Sequence, residues 1–286
     1  MPLSGSTAAV CDASAVEVSD LIEVDLGPRA RGYFTTRGLR ARPVSAPNGV
    51  GTQARGAEDG SGGREDGAAY DGWNLALHVG DDPQRVHCHR RRLEELLGLE
   101  QGRHLAWMNQ VHSAVVSSAQ VDEVPTADAL VLDARTADAP AGCCVLVADC
   151  VPVLLASRDG VLTAAVHAGR RGMLDGVVPA TIDFLQRAGA EPADLWAAVG
   201  PSICGSCYEV PDDMLALSAQ REPACASRTS WGTPGLDVAA GVLAQLERAG
   251  VRHISAGQWC TYEDSRFYSY RRDGVTGRLA GVAIPR

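Results

Sequence analysis

The sequence predicts an α+β fold, a mixed α/β single domain in which mixed β-sheets are flanked by helices. Three observations lead there. Apolar and β-branched runs cluster in the middle of the chain, in "GCCVLVADC", "VPVLLAS" and "VLTAAVHA". Segments of helical period interrupt them at irregular intervals. Asp-Gly pairs stand where an extended chain must reverse. Strands and helices that alternate without a regular βαβ beat fit an α+β arrangement.

Residues 1–20 are small and polar and are expected to be disordered, which leaves 21–286 as the folded domain. "RGYFTTRG" reads as a strand ending near Arg37. Residues 39–72 carry almost no large apolar side chains and read as a flexible insertion. "WNLALHVG" resumes a strand, and "DDPQRVHCHRRRLEELLGL" opens on an Asp cap and a Pro, then runs as an amphipathic helix. "HLAWMNQVHSAVV" and "GCCVLVADC" read as strands. "GMLDGVVPATIDFLQRAG" reads as a helix broken or kinked at its Pro. "LWAAVGPSI" is a strand, "PGLDVAAGVLAQLERAGV" a helix ending on Gly, and a hairpin around "RRDGVTGR" follows.

The segment "VADCVPVLLASRDGVLTAAVHAGRRG" predicts a hairpin turning at Asp159-Gly160. Arg158 then faces Val161, His167 lies opposite Pro152, and Cys150 lies opposite Gly169. Cys150 and Pro152 share a parity, so Cys150 and His167 point to one face, roughly 7–8 Å apart at Cα. Pro152 donates no hydrogen bond, which places its strand at an edge or starts it after the proline.

Composition bounds the function. The chain has 286 residues, 45% of them hydrophobic, enough for a sizeable core. No apolar run reaches the roughly 20 residues of a membrane helix, and the N-terminus has no cationic segment followed by an apolar one, so a cytoplasmic protein is expected. A net charge of −9 argues against nucleic acid and anionic membrane as partners. Nine Cys, odd in number and partly inside apolar runs, read as thiols rather than a disulfide framework. There is no lysine, which excludes a lysine Schiff base and a Walker A lysine.

Cys150 and His167 supply two donors of a mixed thiolate–imidazole metal site, and His112, in "NQVHSAVV", is the best third. A hydrogen-bonded core histidine explains His112 as well. The same residues without metal describe a Cys-His hydrolase with Cys150 as nucleophile. Cys204 and Cys207 form a C-x-x-C with no second half-site at zinc-finger spacing, and read as a loop with two thiols. His87 and His89 form an H-x-H on a helix, where residues two apart do not face each other, and read as a solvated face. Arg271 and Arg272 fit surface charge or an anion site equally.

Nine segments together resemble a known family: "FTTRG", "NLALHVGDDP", "MNQVHSAVV", "ADALVLD", "VADCVPVLLA", "AAVHAGRRG", "VGPSICGSCYEV", "CTYEDSRFYSYRRDG" and "GRLAGVAI". Their order resembles that of the laccase-domain family, also called multicopper polyphenol oxidase, purine nucleoside phosphorylase or peptidoglycan editing factor. The resemblance implies zinc held by His112, Cys150 and His167. It implies phosphorolysis of adenosine, inosine, guanosine or methylthioadenosine, and deamination of adenosine. Its partners are then purine nucleosides and phosphate, acting on a monomer or homodimer. Motif position makes Arg37 and Arg171 anion clamps and lets Asn74 and Gln110 bind base or ribose. Asp149, beside the thiol, is the candidate proton carrier, though strand alternation points it to the other face. The family's third reading is non-catalytic, a zinc-stabilised peptidoglycan editing factor. Copper is disfavoured, because seven His cannot supply a multicopper cluster. Four departures stand out: Arg170 replaces the usual Trp, His89-Arg90 replaces Asn-Arg, Cys204-Gly205 replaces Gly-Pro, and the insertion after Gly38 lengthens a loop expected near the pocket.

Overall fold

A computed structural model describes residues 17–38 and 68–286. Most of the N-terminal segment and of the insertion, residues 1–16 and 39–67, therefore lies outside the described residues. The described margins of both are structured. Asp20 accepts a hydrogen bond from the Thr36 hydroxyl at 3.1 Å. Tyr70 is buried, and Tyr268 Oη donates to the Asp71 carbonyl at 3.1 Å, so 68–72 belong to the fold and not to an insertion.

In chain order the elements are β1 (Leu21–Val24), β2 (Ala30–Thr35), α1 (Pro83–Leu96), β3 (Leu105–Ala106), β4 (Val116–Ser118), β5 (Ala129–Asp133), β6 (Gly142–Val147), β7 (Val151–Ser157) and β8 (Leu162–Ala168). Then come α2 (Arg170–Asp175), α3 (Val177–Arg187), β9 (Leu195–Val199), α4 (Asp212–Arg221), β10 (Ala226–Arg228), β11 (Pro234–Leu236), α5 (Val238–Arg248), β12 (His253–Ala256), α6 (Tyr270–Asp273) and β13 (Leu279–Pro285). One sheet runs β1-β2-β13-β6-β3 and another β12-β9-β7-β8-β5-β4; β10 and β11 pair alone. Both large sheets are mixed, with antiparallel centres; the five-stranded sheet has a parallel pair at one edge and the six-stranded sheet at both. No helix among the described residues is long and apolar enough to cross a membrane.

The two sheets face each other, and helices cover their outer sides. Alternation along the strands shows this. Val153 and Leu155 of β7 pack with Ile182 and Leu185 of α3 and Val242 and Leu246 of α5. Leu154 and Ala156 turn the other way, onto Val145 of β6 and Phe34 of β2. Cys144 and Leu146 of β6 pack beyond the second sheet, with Leu93 of α1 and with Trp73 and Leu75 from the segment before it. Strands buried on both faces carry continuous apolar runs in place of a polar-apolar alternation.

The hairpin has the predicted register: Pro152 pairs with His167 and Val151 with Ala168. Its first strand is not an edge. β7 lies between β8 and β9, and Pro152 sits where the β9 ladder ends, its carbonyl accepting from Gly200 N–H at 3.0 Å. The missing donor falls beyond the last pair, Val153 with Val199.

Other expectations need correction. "WNLALHVG" is irregular and ends in a 3-10 turn, because the Asn74 side chain bonds its own backbone: Oδ1 accepts from Ala76 N–H and Nδ2 donates to Ala76 O, both at 3.1 Å. The helix after β8 breaks at Gly176, whose φ of 90° suits glycine, and not at Pro179. Pro179 sits in the first turn of α3, where an N–H has no helical partner to lose. Around Arg271 the chain forms the short α6, capped by Ser269, and no hairpin. His89 is buried and its Nδ1 contacts the Asn74 carbonyl at 2.8 Å, so the H-x-H is not a uniformly solvated face. Seven described cysteines are free thiols, and Cys88 is disulfide-bonded.

Candidate active site

The loop after β3, the β6–β7 turn and the end of β8 meet at one end of the sheets. They bring His112, Cys150 and His167 together, with one donor atom from each within 4.8 Å of the others. His112 Nε2 lies 3.7 Å from Cys150 Sγ. The two imidazoles meet edge to face, centroids 4.7 Å apart.

His112 is not in a strand, as alternation suggested. It is exposed, in a loop, with a left-handed φ of 61°. Asp128, fully buried just before β5, holds that conformation. Its carboxylate accepts from the N–H groups of His112 at 3.0 Å and Ser113 at 2.6 Å, and from the Ser113 hydroxyl at 2.7 Å. It also accepts from His167 Nδ1 at 2.8 Å, which turns Nε2 of that ring toward Cys150. Burial would raise the Asp128 pKa, but the hydrogen bonds from His167 and Ser113 outweigh it and hold the carboxyl well below its ordinary range.

The thiol and imidazole shift each other. Burial alone would raise Cys150, yet the charge of His167 and contacts from both rings bring it down to about 6. Burial alone would lower His167, yet Cys150 and Asp128 carry it up to about 9. Gly169 makes room for the trio: a Cβ there would stand 2.7 Å from His112 Cδ2 and 3.1 Å from Cys150 Sγ.

The donor set fits zinc. With Zn–S of about 2.3 Å and Zn–N of about 2.0 Å, tetrahedral neighbours lie about 3.5 Å apart, close to the 3.7 Å between His112 and Cys150. Three protein donors leave a fourth position open, the catalytic pattern, and the Asp128–His167 pair is the outer support such a site uses.

The trio lines a cavity of about 380 Å³. Asp149 and Gln110 line it too. Asp149 does so because its φ of 81° breaks the alternation that pointed it away. Its carboxylate accepts from Thr261 Oγ1 and from Arg271 N–H, each at 2.6 Å. The Gln110 carboxamide is engaged at both ends with the Leu146 backbone, at 2.7 and 2.8 Å. The other three predicted residues lie outside the cavity lining. Asn74 is buried, its carboxamide bonded to Ala76, Asp81 and the Arg278 N–H. Arg37 stacks on Tyr268 and donates to the Asp71 carbonyl. Arg171 is exposed one position past Arg170 on α2, and it is Arg170 that lines the cavity.

Sequence reasoning missed several lining residues: His78, Tyr208, Tyr270 and Arg278. Of the Arg pair left open, Arg271 lines the cavity, while the Arg272 guanidinium donates to the carbonyls of Thr261, Tyr262 and Phe267. Asp128 had one signal, an isolated acid at the head of the apolar run "ADALVLD".

The family model described as multi-copper polyphenol oxidoreductase laccase matches residues 58–286. The chain belongs to this laccase family. Within it, the chain is 49% identical over 216 residues to a protein of Streptomyces coelicolor named purine nucleoside phosphorylase, covering 74% of this chain and 87% of the relative. A Corynebacterium glutamicum protein of the same name is 43% identical, with the same shares covered. Among solved structures, Neisseria meningitidis protein NMB0706 of family DUF152 superposes with a TM-score of 0.72 at 30% identity, covering 93% of this chain and 99% of that one. YlmD of Geobacillus stearothermophilus superposes with a TM-score of 0.71 at 29% identity, covering 90% and 92%. The fold is thus shared with these solved structures, the sequence relatives carry the name purine nucleoside phosphorylase, and in this chain the His-Cys-His trio is a candidate metal site.

Proposed function

We propose that the protein is a zinc-dependent purine nucleoside phosphorylase that also deaminates adenosine. One observation carries the reading: the trio shares its cavity with three guanidinium groups, Arg170, Arg271 and Arg278, and two phenol rings, Tyr208 and Tyr270. Guanidinium groups are planar forks for phosphate oxygens, and phenol rings offer faces for a purine. The names of the relatives point to the same substrates, a purine nucleoside and phosphate.

In phosphorolysis a phosphate oxygen bonds to C1′ of the ribose as the C1′–N9 bond breaks, giving the free purine and ribose 1-phosphate. The arginines hold the phosphate against C1′ and offset its charge. Arg271 is well placed for this, since one nitrogen is fixed on the Glu209 carbonyl at 2.9 Å and its Cζ lies 4.9 Å from the Tyr208 ring centroid. Asp149, anchored through both oxygens, accepts from a substrate hydroxyl and is the proton carrier for deamination. Arg171, Arg37 and Asn74 act at most through the surrounding structure. Bound zinc supplies Lewis acidity there, and lowers the pKa of water toward about 7.

Metal analysis of protein purified without chelator, joined to a product scan with adenosine and phosphate, tests this. Adenine with ribose 1-phosphate supports phosphorolysis, and inosine supports deamination. Full zinc with no turnover of any nucleoside sinks the enzyme reading and leaves the editing-factor role. The depressed Cys150 thiol beside a raised His167 favours one rival, a metal-free Cys-His hydrolase. His112→Ala separates the two: it abolishes zinc retention and turnover in the zinc enzyme and does little in the hydrolase.

A further inference from the structure

Behind one wall of the cavity lies a second group of donors. Cys204, Cys207, Cys260 and Glu263 each bring a ligand atom within 4.8 Å of the others. Two single turns build the group. In one, the N–H groups of Cys207 and Tyr208 donate to the Cys204 carbonyl at 3.0 Å; in the other, Asp264 N–H donates to the Cys260 carbonyl at 2.9 Å. Residues three apart in such a turn are neighbours. The C-x-x-C at 204 and the C-x-x-E at 260 therefore each present a pair of donors. A parallel bridge between Ser202 and Cys260, with Thr261 N–H donating to the Ser202 carbonyl at 3.0 Å, sets the turns side by side. Gly205 permits the first turn: a Cβ there would come within 2.5 Å of Ser227 Oγ.

We infer that Cys204, Cys207, Cys260 and Glu263 hold a second zinc ion, a structural one. Three sulfurs and one carboxylate oxygen make a closed set of four, the pattern of structural zinc, and thiolates select against magnesium and calcium. A disulfide would use two sulfurs and leave the third thiol and the carboxylate unexplained; all three cysteines are free. Loading forms three Zn–S bonds and one Zn–O bond, and the thiol protons pass to solvent. The C-x-x-C thus has its second half-site, 53 residues downstream of its last cysteine (260 − 207) and with a carboxylate in the fourth place. The ion clamps two segments that shape the cavity: Ile203 and Tyr208 flank the first turn and line it, and Thr261 of the second holds Asp149. The site shares no residue with the trio, and the inference does not rest on the function proposed for the cavity.

The test uses the full chain, purified under reducing conditions without chelator. Two zinc ions per chain are expected. Cobalt substituted for zinc then counts thiolates, because each Co–S bond adds charge-transfer absorption. A three-thiolate band should persist in Cys150→Ala and collapse in Cys204→Ser and in Cys260→Ser, with folding checked by circular dichroism. Those two variants should keep the cavity metal and melt at a lower temperature. A single ion whose one-thiolate band vanishes in Cys150→Ala overturns the second site. A single ion whose three-thiolate band survives Cys150→Ala upholds it and sinks the zinc reading of the cavity. A disulfide mapped between any two of Cys204, Cys207 and Cys260, with no three-thiolate band, also overturns it. The stoichiometry and spectrum of the unmodified chain stand even if a variant fails to fold.

Discussion

Asp128 shows how much one buried carboxylate can organise. It fixes the left-handed loop of His112 and the ring of His167 at once. Asp128→Asn keeps the volume but turns half the acceptor set into donors, and should weaken metal binding about 10–100-fold, read by competition with a chromogenic chelator. Unchanged affinity would mean the loop holds itself. The Cys150 thiol gives a pH prediction for the chelated protein. Because it is depressed to about 6, alkylation by iodoacetamide should rise with pH through a midpoint near that value, well below an ordinary thiol, and stay high above it. A midpoint near the ordinary thiol range would remove the imidazole partnership. Arg170 and Arg171 are neighbours in sequence with different surroundings. Arg170→Ala should raise KM for phosphate severalfold, while Arg171→Ala should leave it close to unchanged; equal effects would contradict the division at α2. Cys150 and His167 were legible as a pair because the Asp159-Gly160 turn sets a register and the register sets a face; His112, in a loop outside that register, was reached only as a candidate third donor and through the Q-V-H motif of the family it resembles. Residues reaching the cavity from Tyr208, Tyr270 and Arg278 were not, because their separations from the trio are tertiary and no local period encodes them.

At the scale of elements, the strands best read from sequence are those buried on both faces, where long apolar runs leave no other assignment. Leu155 of β7 is fully buried between its sheet and the α3–α5 layer. Leu155→Ala should cost about 2–5 kcal/mol, read as a lower urea midpoint at constant slope. A cost under 1 kcal/mol, small against that range, would show that the layer can collapse into the space. Elements were misread where a polar side chain replaced a ladder. Asn74 ties up the backbone of "WNLALHVG", and Asp128 that of "NQVHS", so apolar spacing suggested strands in segments whose amides bond elsewhere. Pro152 misled for the opposite reason. A proline excludes a central position only where its N–H is needed, and here the ladder has already ended.

Across the whole molecule, β13 is the central strand of the five-stranded sheet, pairing with β2 on one side and β6 on the other. Removing 279–286 takes out the middle of a five-stranded sheet, not its edge. The shortened chain should lose its cooperative urea transition, followed by tryptophan fluorescence; a sharp transition that persists would mean the other sheet folds alone. The mixed architecture was readable from irregular interleaving, but the place of β13 was not, since nothing local records which partners a strand will find. That placement sets a schedule for synthesis. Every other described strand leaves the ribosome before β13 does, so β2 and β6 must wait with open edges that invite pairing with a neighbouring nascent chain. A premature stop codon before residue 279 should accordingly yield aggregate in the cell, not a weakened enzyme, and its severity should follow chaperone supply more than substrate level.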